Sequence, residues 1–125
     1  MLYISLHRHD AGNFYPGTGD ASDCGAGGSS LGKTINISWY GSVNYYGDAE
    51  YLAAFRSVVL PVINEFKPEM VLVSCGFDAA EGHPPQLGGY GLTPAMFAWM
   101  TNELVKLNNG RKLVLALEGG YHLPR

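Results

Sequence analysis

The sequence predicts an α/β fold in which a parallel β-sheet is packed against helices. Short apolar stretches alternate along the chain with longer segments whose apolar residues recur at helical spacing. This alternation is the pattern of parallel strands joined by helical crossovers. In addition, the apolar stretches at 70–75 and 113–117 each run into a glycine-containing segment that carries polar side chains. In open parallel sheets, ligands sit beyond the carboxyl ends of the strands, so both segments are candidate parts of a site.

The first half of the chain predicts two strands separated by a long loop. Residues 2–6 form an apolar, β-prone stretch, and residues 35–39 show apolar side chains at alternate positions. Residues 7–33 are rich in Gly, Asp and Ser, and a loop of that length is usually functional or disordered. Phe14, Tyr15 and Pro16 within it argue against simple disorder.

Two amphipathic helices are predicted in the second half. Asp48 can cap a helix that runs to about Phe66, and Pro61 is expected to kink or break it. Thr93 is predicted to cap the second helix, with Pro94 at its first position. The predicted buried face of the first helix comprises Tyr51, Leu52, Phe55, Val58, Val59, Val62, Ile63 and Phe66; that of the second comprises Phe97, Met100, Leu104 and Leu107, with Asn109-Gly110 ending the helix.

The composition limits the classes of function. Residues of apolar type make up 46% of the 125-residue chain, enough for a core, and the net charge of −3 excludes a basic nucleic-acid footprint. No apolar stretch reaches the length of a membrane span. Cys24 and Cys75 form no CxxC pair, which favours a reducing compartment. Apolar, β-prone residues begin at position 2 and the chain stops shortly after 121, so we interpret it as a piece of a larger domain.

Three residues near the predicted strand ends are the first candidates for chemistry. Asp78 follows the strand at 70–75, where a carboxylate could bind a ligand; the alternative is a cap of the next turn. Tyr121 follows Gly119 and Gly120, and its alternative is a surface or packing tyrosine. Glu118 is expected to satisfy backbone groups around the glycine turn rather than to act as an acid or base.

Further candidates lie in the loops. His7, His9 and Asp10 could form a metal cluster, because imidazole and carboxylate both bind zinc, but adjacent positions rarely converge and polar contacts are favoured. His83 is expected to make hydrogen bonds within its loop. The Phe14-Tyr15 pair is either one wall of a narrow site or an anchor for the loop.

Three motifs resemble those of one family. Residues 5–19, SLHRHDAGNFYPGTG, resemble the SLH…FFPGTG segment of histone deacetylases. Residues 75–79, CGFDA, and 117–121, LEGGY, resemble two further motifs of that family, in the same order along the chain. The resemblance covers essentially the whole chain. Residues 47–52, 82–84 and 87–90 look most like class IIa, within class II.

The resemblance implies the arginase/deacetylase fold, a three-layer α/β architecture with a central parallel sheet. Residues 1–125 would be a C-terminal portion of the catalytic domain, incomplete at both ends. The implied function is zinc-dependent hydrolysis of acetyl-lysine in transcriptional repression, in nucleus and cytoplasm. The implied partners are acetylated histone tails or other acetyl-lysine proteins and transcriptional corepressors, with no direct nucleic acid and no membrane.

The resemblance also assigns roles to individual residues. Asp78 would be one ligand of a catalytic zinc ion, and Tyr121 would stabilise the oxyanion. Ser5 and the carbonyl of Leu6 would bind a structural potassium ion. The other zinc ligands and a proton-transferring histidine pair belong to motifs that these 125 residues lack, so the chain alone is expected to be inactive. Residues lining the acetyl-lysine tunnel would be Phe14, Tyr15, Gly119 and Gly120.

Two departures from the family pattern bear on activity. Vertebrate class IIa enzymes carry histidine where this chain has Tyr121, whereas classes I and IIb carry tyrosine. Tyr15 stands where the family usually has a second phenylalanine. Two alternatives therefore stay open: a catalytically silent acetyl-lysine-binding or corepressor-docking module, and a related hydrolase of the same fold such as a polyamine deacetylase.

Overall fold

The predicted α/β class is confirmed by a computed structural model, which describes residues 1–41, 45–107 and 112–121. The chain divides into two compact units, Met1–Asn44 and Tyr45–Arg125. Each unit contains one pair of parallel strands. None of the helices in the described ranges combines the length and hydropathy needed to cross a bilayer.

The first unit is built on strands β1 (Tyr3–Arg8) and β2 (Thr34–Trp39), which pair in parallel. Strand β1 extends two residues beyond the predicted end at Leu6. The reason is that His7 and Arg8 continue the ladder opposite Ser38 and Trp39. The side chains of His7 and Arg8 therefore start from a strand rather than from a loop.

Polar contacts fold the loop between β1 and β2. It contains two short 3-10 turns, Asp10–Gly12 and Gly28–Ser30. The amide of the buried Asn36 on β2 donates to the carbonyls of Asp20, at 3.2 Å, and Asp23, at 3.0 Å. These bonds satisfy a buried polar side chain and fix the loop to the strand.

The helix predicted at 48–66 is helical throughout, but it is not a regular α-helix. It comprises α1 (Asp48–Ala54), a π-helical turn (Phe55–Val59) and α2 (Leu60–Phe66). Pro61 neither breaks the helix nor donates a hydrogen bond. The change in bonding precedes it, where the Leu60 N–H donates to the Phe55 carbonyl five residues earlier.

The prediction that Asp48 caps its own helix is wrong. Gly47 is the N-cap residue of α1, and its N–H donates to Glu50 Oε2 at 2.8 Å. The carboxylate of Asp48 instead accepts hydrogen bonds from Thr93, from the backbone N–H at 2.9 Å and from the hydroxyl at 2.7 Å. Thr93 caps the next helix as predicted, because its Oγ1 accepts from the Met96 N–H at 3.3 Å.

The second unit also contains α3 (Pro94–Leu107) and the parallel strands β3 (Val71–Cys75) and β4 (Leu113–Leu117). The predicted end of the second helix at Asn109-Gly110 lies outside the described residues. The two strands pair without stagger, from Val71 opposite Leu113 to Cys75 opposite Leu117. Both strands therefore end at the same edge.

The core of the second unit combines the two helical segments with the loop that precedes α3. Of the predicted face of α3, Leu104 is buried, whereas Phe97, Met100 and Leu107 are only half-buried; Met96 is buried in addition. On the first helix, only every fourth residue of the predicted apolar face is buried, from Tyr51 to Ile63. The buried apolar residues are Tyr51, Phe55, Val59, Ile63, Tyr90, Leu92, Met96 and Leu104.

Candidate active site

The segments that follow β3 and β4 are held side by side. The N–H of Glu118 donates to the carbonyl of Cys75 at 3.0 Å, which extends the pairing one residue beyond the strands. The Glu118 carbonyl in turn lies beside Gly76. The backbone of Glu118 thus makes contacts around the glycine turn, and it brings the 76–79 and 118–121 segments together.

Glycines leave the space that Asp78 occupies. Asp78 lies in a short 3-10 turn, Phe77–Ala79, directly after β3. A Cβ atom on Gly76 would lie only 2.8 Å from Asp78 Oδ1 and 2.9 Å from the Glu118 carbonyl. A Cβ atom on Gly88 would overlap the main-chain carbonyl of Asp78. No side-chain hydrogen bond caps this turn, so the capping interpretation of Asp78 finds no support there.

The hydroxyl of Tyr121 and the carboxylate of Asp78 approach a common point beside Gly119. A methyl carbon at Gly119 would lie 3.4 Å from the Tyr121 hydroxyl and 3.5 Å from Asp78 Oδ1. Gly119 and Gly120 have φ angles of +103° and +112°, in the region that favours glycine. The two glycines therefore allow a backbone path that directs a phenol hydroxyl toward the carboxylate.

The turn that carries Asp78 rests on apolar and aromatic contacts. The ring of Phe77 packs edge-on against Phe97 of α3, with centroids 5.0 Å apart. Tyr51 is buried in the core, and burial raises the pKa of its hydroxyl; the charges of Tyr90 and Asp78 act in the same direction. Burial and the nearby charge of Asp78 therefore both favour the neutral form of the Tyr51 phenol.

In the first unit, Ser5 and His7 form a connected pair. His7 Nε2 lies 2.8 Å from the Gly19 carbonyl, which can only accept, so this nitrogen carries the proton. In neutral His7, Nδ1 is then the acceptor, and the Ser5 hydroxyl donates to it at 2.8 Å. The lone pairs of Ser5 Oγ consequently point away from His7. A hydroxyl oxygen in this state suits a cation, which is the role the resemblance implies for Ser5 beside the carbonyl of Leu6.

The structure separates His7, His9 and Asp10 into different polar contacts. The buried His9 lies with Nδ1 3.8 Å from Asp20 Oδ2, whereas Asp10 pairs with Arg8 at 2.7 Å. Across residues 1–41, 45–107 and 112–121, no three His, Cys, Asp or Glu side chains are grouped closely enough to hold a metal ion. The contacts of Asp10 with Arg8 and of His9 with Asp20 are polar contacts of the kind that the sequence favours for these residues.

The remaining predicted residues occupy ordinary loop positions. His83 lies with Nδ1 3.3 Å from the carbonyl of Ala80, a contact within its own loop, as predicted. Tyr15 is 90% exposed, so its side chain does not anchor the loop. Phe14 is half-buried under the guanidinium group of Arg8. The tunnel roles of Phe14 and Tyr15 stay predictions.

Sequence reasoning did not single out three residues that shape these sites: Gly88, Tyr51 and Arg8. Gly88 belongs to a Gly88-Gly89 pair in a loop, and a paired glycine close to a candidate ligand is a usable signal of close approach. Tyr51 was assigned only to an apolar face. Arg8 is the last residue of β1 and Asp10 begins the turn that follows, so their pairing has no signal in a local pattern.

Comparisons with known proteins place this geometry in a family. The profile described as the histone deacetylase domain matches residues 1–125. The chain is 56% identical over 124 residues to histone deacetylase 7 of Homo sapiens and 55% identical over 123 residues to histone deacetylase 4 of Caenorhabditis briggsae, both class IIa relatives. It covers 13% of the length of each.

A solved structure described as the HD domain of HDA15 is similar to this fold. Its TM-score is 0.87 at 50% sequence identity. The match covers 97% of this chain and 32% of that one. The similarity therefore extends over nearly all of the α/β framework described above, and it identifies that framework as part of the arginase/deacetylase fold.

Proposed function

Because the chain belongs to the histone deacetylase family, we propose that it contributes catalytic residues to a zinc-dependent hydrolase of acetyl-lysine. The observation that carries this proposal is the approach of the Tyr121 hydroxyl and Asp78 Oδ1 to one point beside Gly119. A carboxylate and a hydroxyl donor aimed at the same small space suit the hydrolysis of an amide carbonyl.

The donor chemistry of the site fits a zinc ion in part. Asp78 offers one carboxylate oxygen, a common zinc ligand, on a glycine-lined backbone that leaves it room. The other ligands and the general base would come from parts of the protein outside these 125 residues. A bound zinc ion would supply Lewis-acid polarisation of the acetamide carbonyl and of the attacking water.

Tyr121 would act on the carbonyl oxygen of the substrate. As water adds to the acetamide carbon, that oxygen gains negative charge, and the phenol O–H donates a hydrogen bond to it. Gly119 and Gly120, which carry no side chains, would line the space for the acetyl group. Phe14 and Tyr15 would flank the lysine methylenes, which need only an apolar wall.

The wider biological role belongs to the same proposal. The substrates would be acetylated histone tails or other acetyl-lysine proteins, and the protein would act with transcriptional corepressors in nucleus and cytoplasm. A potassium ion at Ser5 and Leu6 would have a structural role. The 125-residue chain by itself would be inactive, because a single carboxylate cannot hold a catalytic zinc ion.

The sharpest test is Tyr121→His in the full-length protein. We expect turnover of an acetyl-lysine peptide to fall about a hundred- to a thousand-fold, because imidazole is shorter than phenol and the oxyanion loses its donor. The Michaelis constant should change much less, since the bond strengthens mainly in the transition state. Zinc content after dialysis should be unchanged.

A matched control is Tyr45→His, because Tyr45 and Tyr121 are equally exposed, at 70% and 69%. It should leave turnover near the wild-type value. Equal turnover in Tyr121→His and wild type would remove Tyr121 from the mechanism. Wild-type protein that binds acetyl-lysine peptide without hydrolysing it would instead favour the silent binding module.

A further inference from the structure

The side chain of Tyr121 has little packing of its own to hold it in place. It is 69% exposed among the described residues of the chain. The two residues before it, Gly119 and Gly120, have φ angles of +103° and +112° and carry no side chains that could pack. A hydroxyl that donates to a transition state must be held to within about 0.5 Å. The position of Tyr121 therefore depends on what supports the backbone just before it.

Beyond Glu118 the main chain rests on Phe77. Glu118 itself is fixed by the hydrogen bond from its N–H to the Cys75 carbonyl, at 3.0 Å. Two residues later, a Cβ atom on Gly120 would lie 3.1 Å from the Phe77 Cβ and 3.7 Å from the Phe77 Cα. Because these neighbours are the main chain and the first side-chain atom of Phe77, Gly120 is placed by the backbone of the Phe77–Ala79 turn.

The turn is in turn held by the beginning of α3. The rings of Phe77 and Phe97 meet edge to face, with centroids 5.0 Å apart and planes inclined at 67°. At the other end of the turn, the Ala79 carbonyl accepts from the N–H of Leu92 at 3.1 Å, and Leu92 is fully buried just before α3. Both ends of the turn are thus tied to the same helix terminus, one of them through the ring of Phe97.

We propose that Phe97 is a positioning residue for Tyr121: its ring fixes Phe77, which supports Gly120 so that the phenol hydroxyl meets the carbonyl oxygen of the substrate. This inference rests on the proposed function and deepens it. Phe97 does not touch the reacting atoms. Since the hydrogen bond from Tyr121 strengthens mainly in the transition state, a displaced hydroxyl lowers kcat and leaves KM nearly unchanged.

The first test is Phe97→Leu in the full-length protein. Leucine is a good helix former and fills much of the same apolar space, but it has no flat ring, so the edge-to-face contact is lost while α3 is kept. We expect kcat for an acetyl-lysine peptide to fall about five- to thirtyfold with KM within about twofold, because a small misplacement is costly in rate. Zinc content after dialysis should match that of wild type. A kcat within about twofold of wild type would overturn the proposal.

Trp99→Leu is the matched control. Trp99 lies two residues from Phe97 on the same helix, is also half-buried, and packs edge-on against Phe55 with centroids 5.9 Å apart. This variant should also lower the melting temperature, but it should leave kcat near the wild-type value. If Phe97 contributed only to stability, both variants would lose activity in proportion to their loss of stability, and that result would contradict the positioning role.

A second background shows which residue of the site Phe97 acts through. Phe77 directly precedes Asp78, so loss of the ring contact could also act on the carboxylate. Tyr121→Phe removes only the phenol hydroxyl. In that background Phe97→Leu should change kcat by less than about twofold, because no hydroxyl is left to misplace. A larger further loss would assign the effect to Asp78 and refute the proposal.

A spectroscopic measurement separates failure of this inference from failure of the proposed function. In protein labelled with 3-fluorotyrosine, the fluorine resonance of Tyr121 is identified by its absence in Tyr121→Phe. Phe97→Leu should shift or broaden that resonance, whereas Trp99→Leu should not. An unmoved resonance in Phe97→Leu, in a protein that hydrolyses acetyl-lysine, would overturn the positioning role alone. A moved resonance in a protein that neither binds nor hydrolyses acetyl-lysine would overturn the proposed function, and with it the catalytic purpose of the contact.

Discussion

At the scale of single residues, the position of Asp78 depends on two nearby glycines, Gly76 and Gly88, which have no Cβ atom. Gly76 and Gly88 approach the side chain and the carbonyl of Asp78 so closely that a methyl group has no room at either position. Asp78 can therefore occupy its position only because residues 76 and 88 have no side chain. Such placement is sensitive to the smallest substitution.

We expect Gly76→Ala to displace the Asp78 carboxylate. The added methyl would lie 2.8 Å from Oδ1 and 2.9 Å from a main-chain carbonyl, so unfolding free energy should fall by on the order of 1–3 kcal/mol. Zinc retention in the full-length protein should fall with it. Gly82→Ala is the control: φ there is +94° but nothing lies within 4 Å, so it should lose stability and keep zinc. Equal zinc content in both variants would contradict the prediction.

Near neutral pH, Cys75 should be alkylated more slowly than Cys24. Burial raises the pKa of the Cys75 thiol above its ordinary value, whereas Cys24 is exposed. Because the thiolate is the nucleophile, Cys75 stays protonated and slow to alkylate near neutral pH, and its rate should rise about tenfold per pH unit below its pKa. Mass spectrometry after timed iodoacetamide treatment, with Cys24→Ser as the control, measures this. Faster modification of Cys75 than of Cys24 at pH 7 would contradict it.

At the scale of elements, the starts of α1 and α3 are fastened to each other. Asp48 accepts two hydrogen bonds from Thr93, which itself caps α3. This tie joins residues 45 positions apart in sequence, and it is a side-chain contact between two helix termini.

We expect Asp48→Ala to lower the unfolding free energy by about 1–3 kcal/mol, because it leaves two half-buried donors of Thr93 without their acceptor. Asp48→Asn should cost less, since its amide oxygen can still accept from the backbone N–H. A double-mutant cycle with Thr93→Val, followed by urea denaturation, should show coupling of about 0.5–3 kcal/mol. Strictly additive effects would mean that the tie contributes nothing.

Local sequence patterns predicted the elements well and their polar partners poorly. The strand at 113–117 and the start of α3 after Thr93 were predicted correctly, because apolar runs and a Thr-Pro cap are local signals. Asp48 was misassigned because a capping aspartate and one that binds a distant helix terminus look identical in sequence. The extension of β1 to Arg8 depends on pairing with β2, which no local pattern encodes.

For the candidate site, the sequence singled out Asp78 and Tyr121 as candidates but could not predict the distance between them. Two strand ends on one edge of a parallel sheet can be expected to meet. How closely they meet depends on the backbone conformation at Gly76 and Gly119. The sequence shows that these residues are glycines, but it does not show which conformation they adopt. The guanidinium group of Arg8 lies over the ring of Phe14 and pairs with Asp10, and the positive φ angles of Asp10 and Ala11 in this turn have no local sequence signal.

At the scale of the whole molecule, the second unit leaves large apolar side chains on its strand pair exposed. Leu72 is 71% exposed and Leu117 is 79% exposed. Parallel sheets are normally covered on both faces, and an isolated pair of strands is only marginally stable. The 125-residue chain by itself therefore has too little packing around β3 and β4.

We accordingly expect the isolated chain to exchange the amide protons of Val71–Cys75 and Leu113–Leu117 rapidly and to bind a hydrophobic dye. In the full-length protein the same amides should be strongly protected. Hydrogen exchange followed by mass spectrometry on both proteins decides this. Strong protection of both strands in a monomeric isolated chain would show that its packing is sufficient.

The glycines around Asp78 also have a genetic consequence. A single-base change in a glycine codon is either synonymous, creates a stop codon, or encodes a residue that carries a Cβ atom. Every missense change therefore adds a Cβ atom against the Asp78 carboxylate at Gly76 and against the Asp78 main-chain carbonyl at Gly88. In a saturation scan of the full-length protein, missense changes at these two codons should lower activity, as changes at Asp78 itself should.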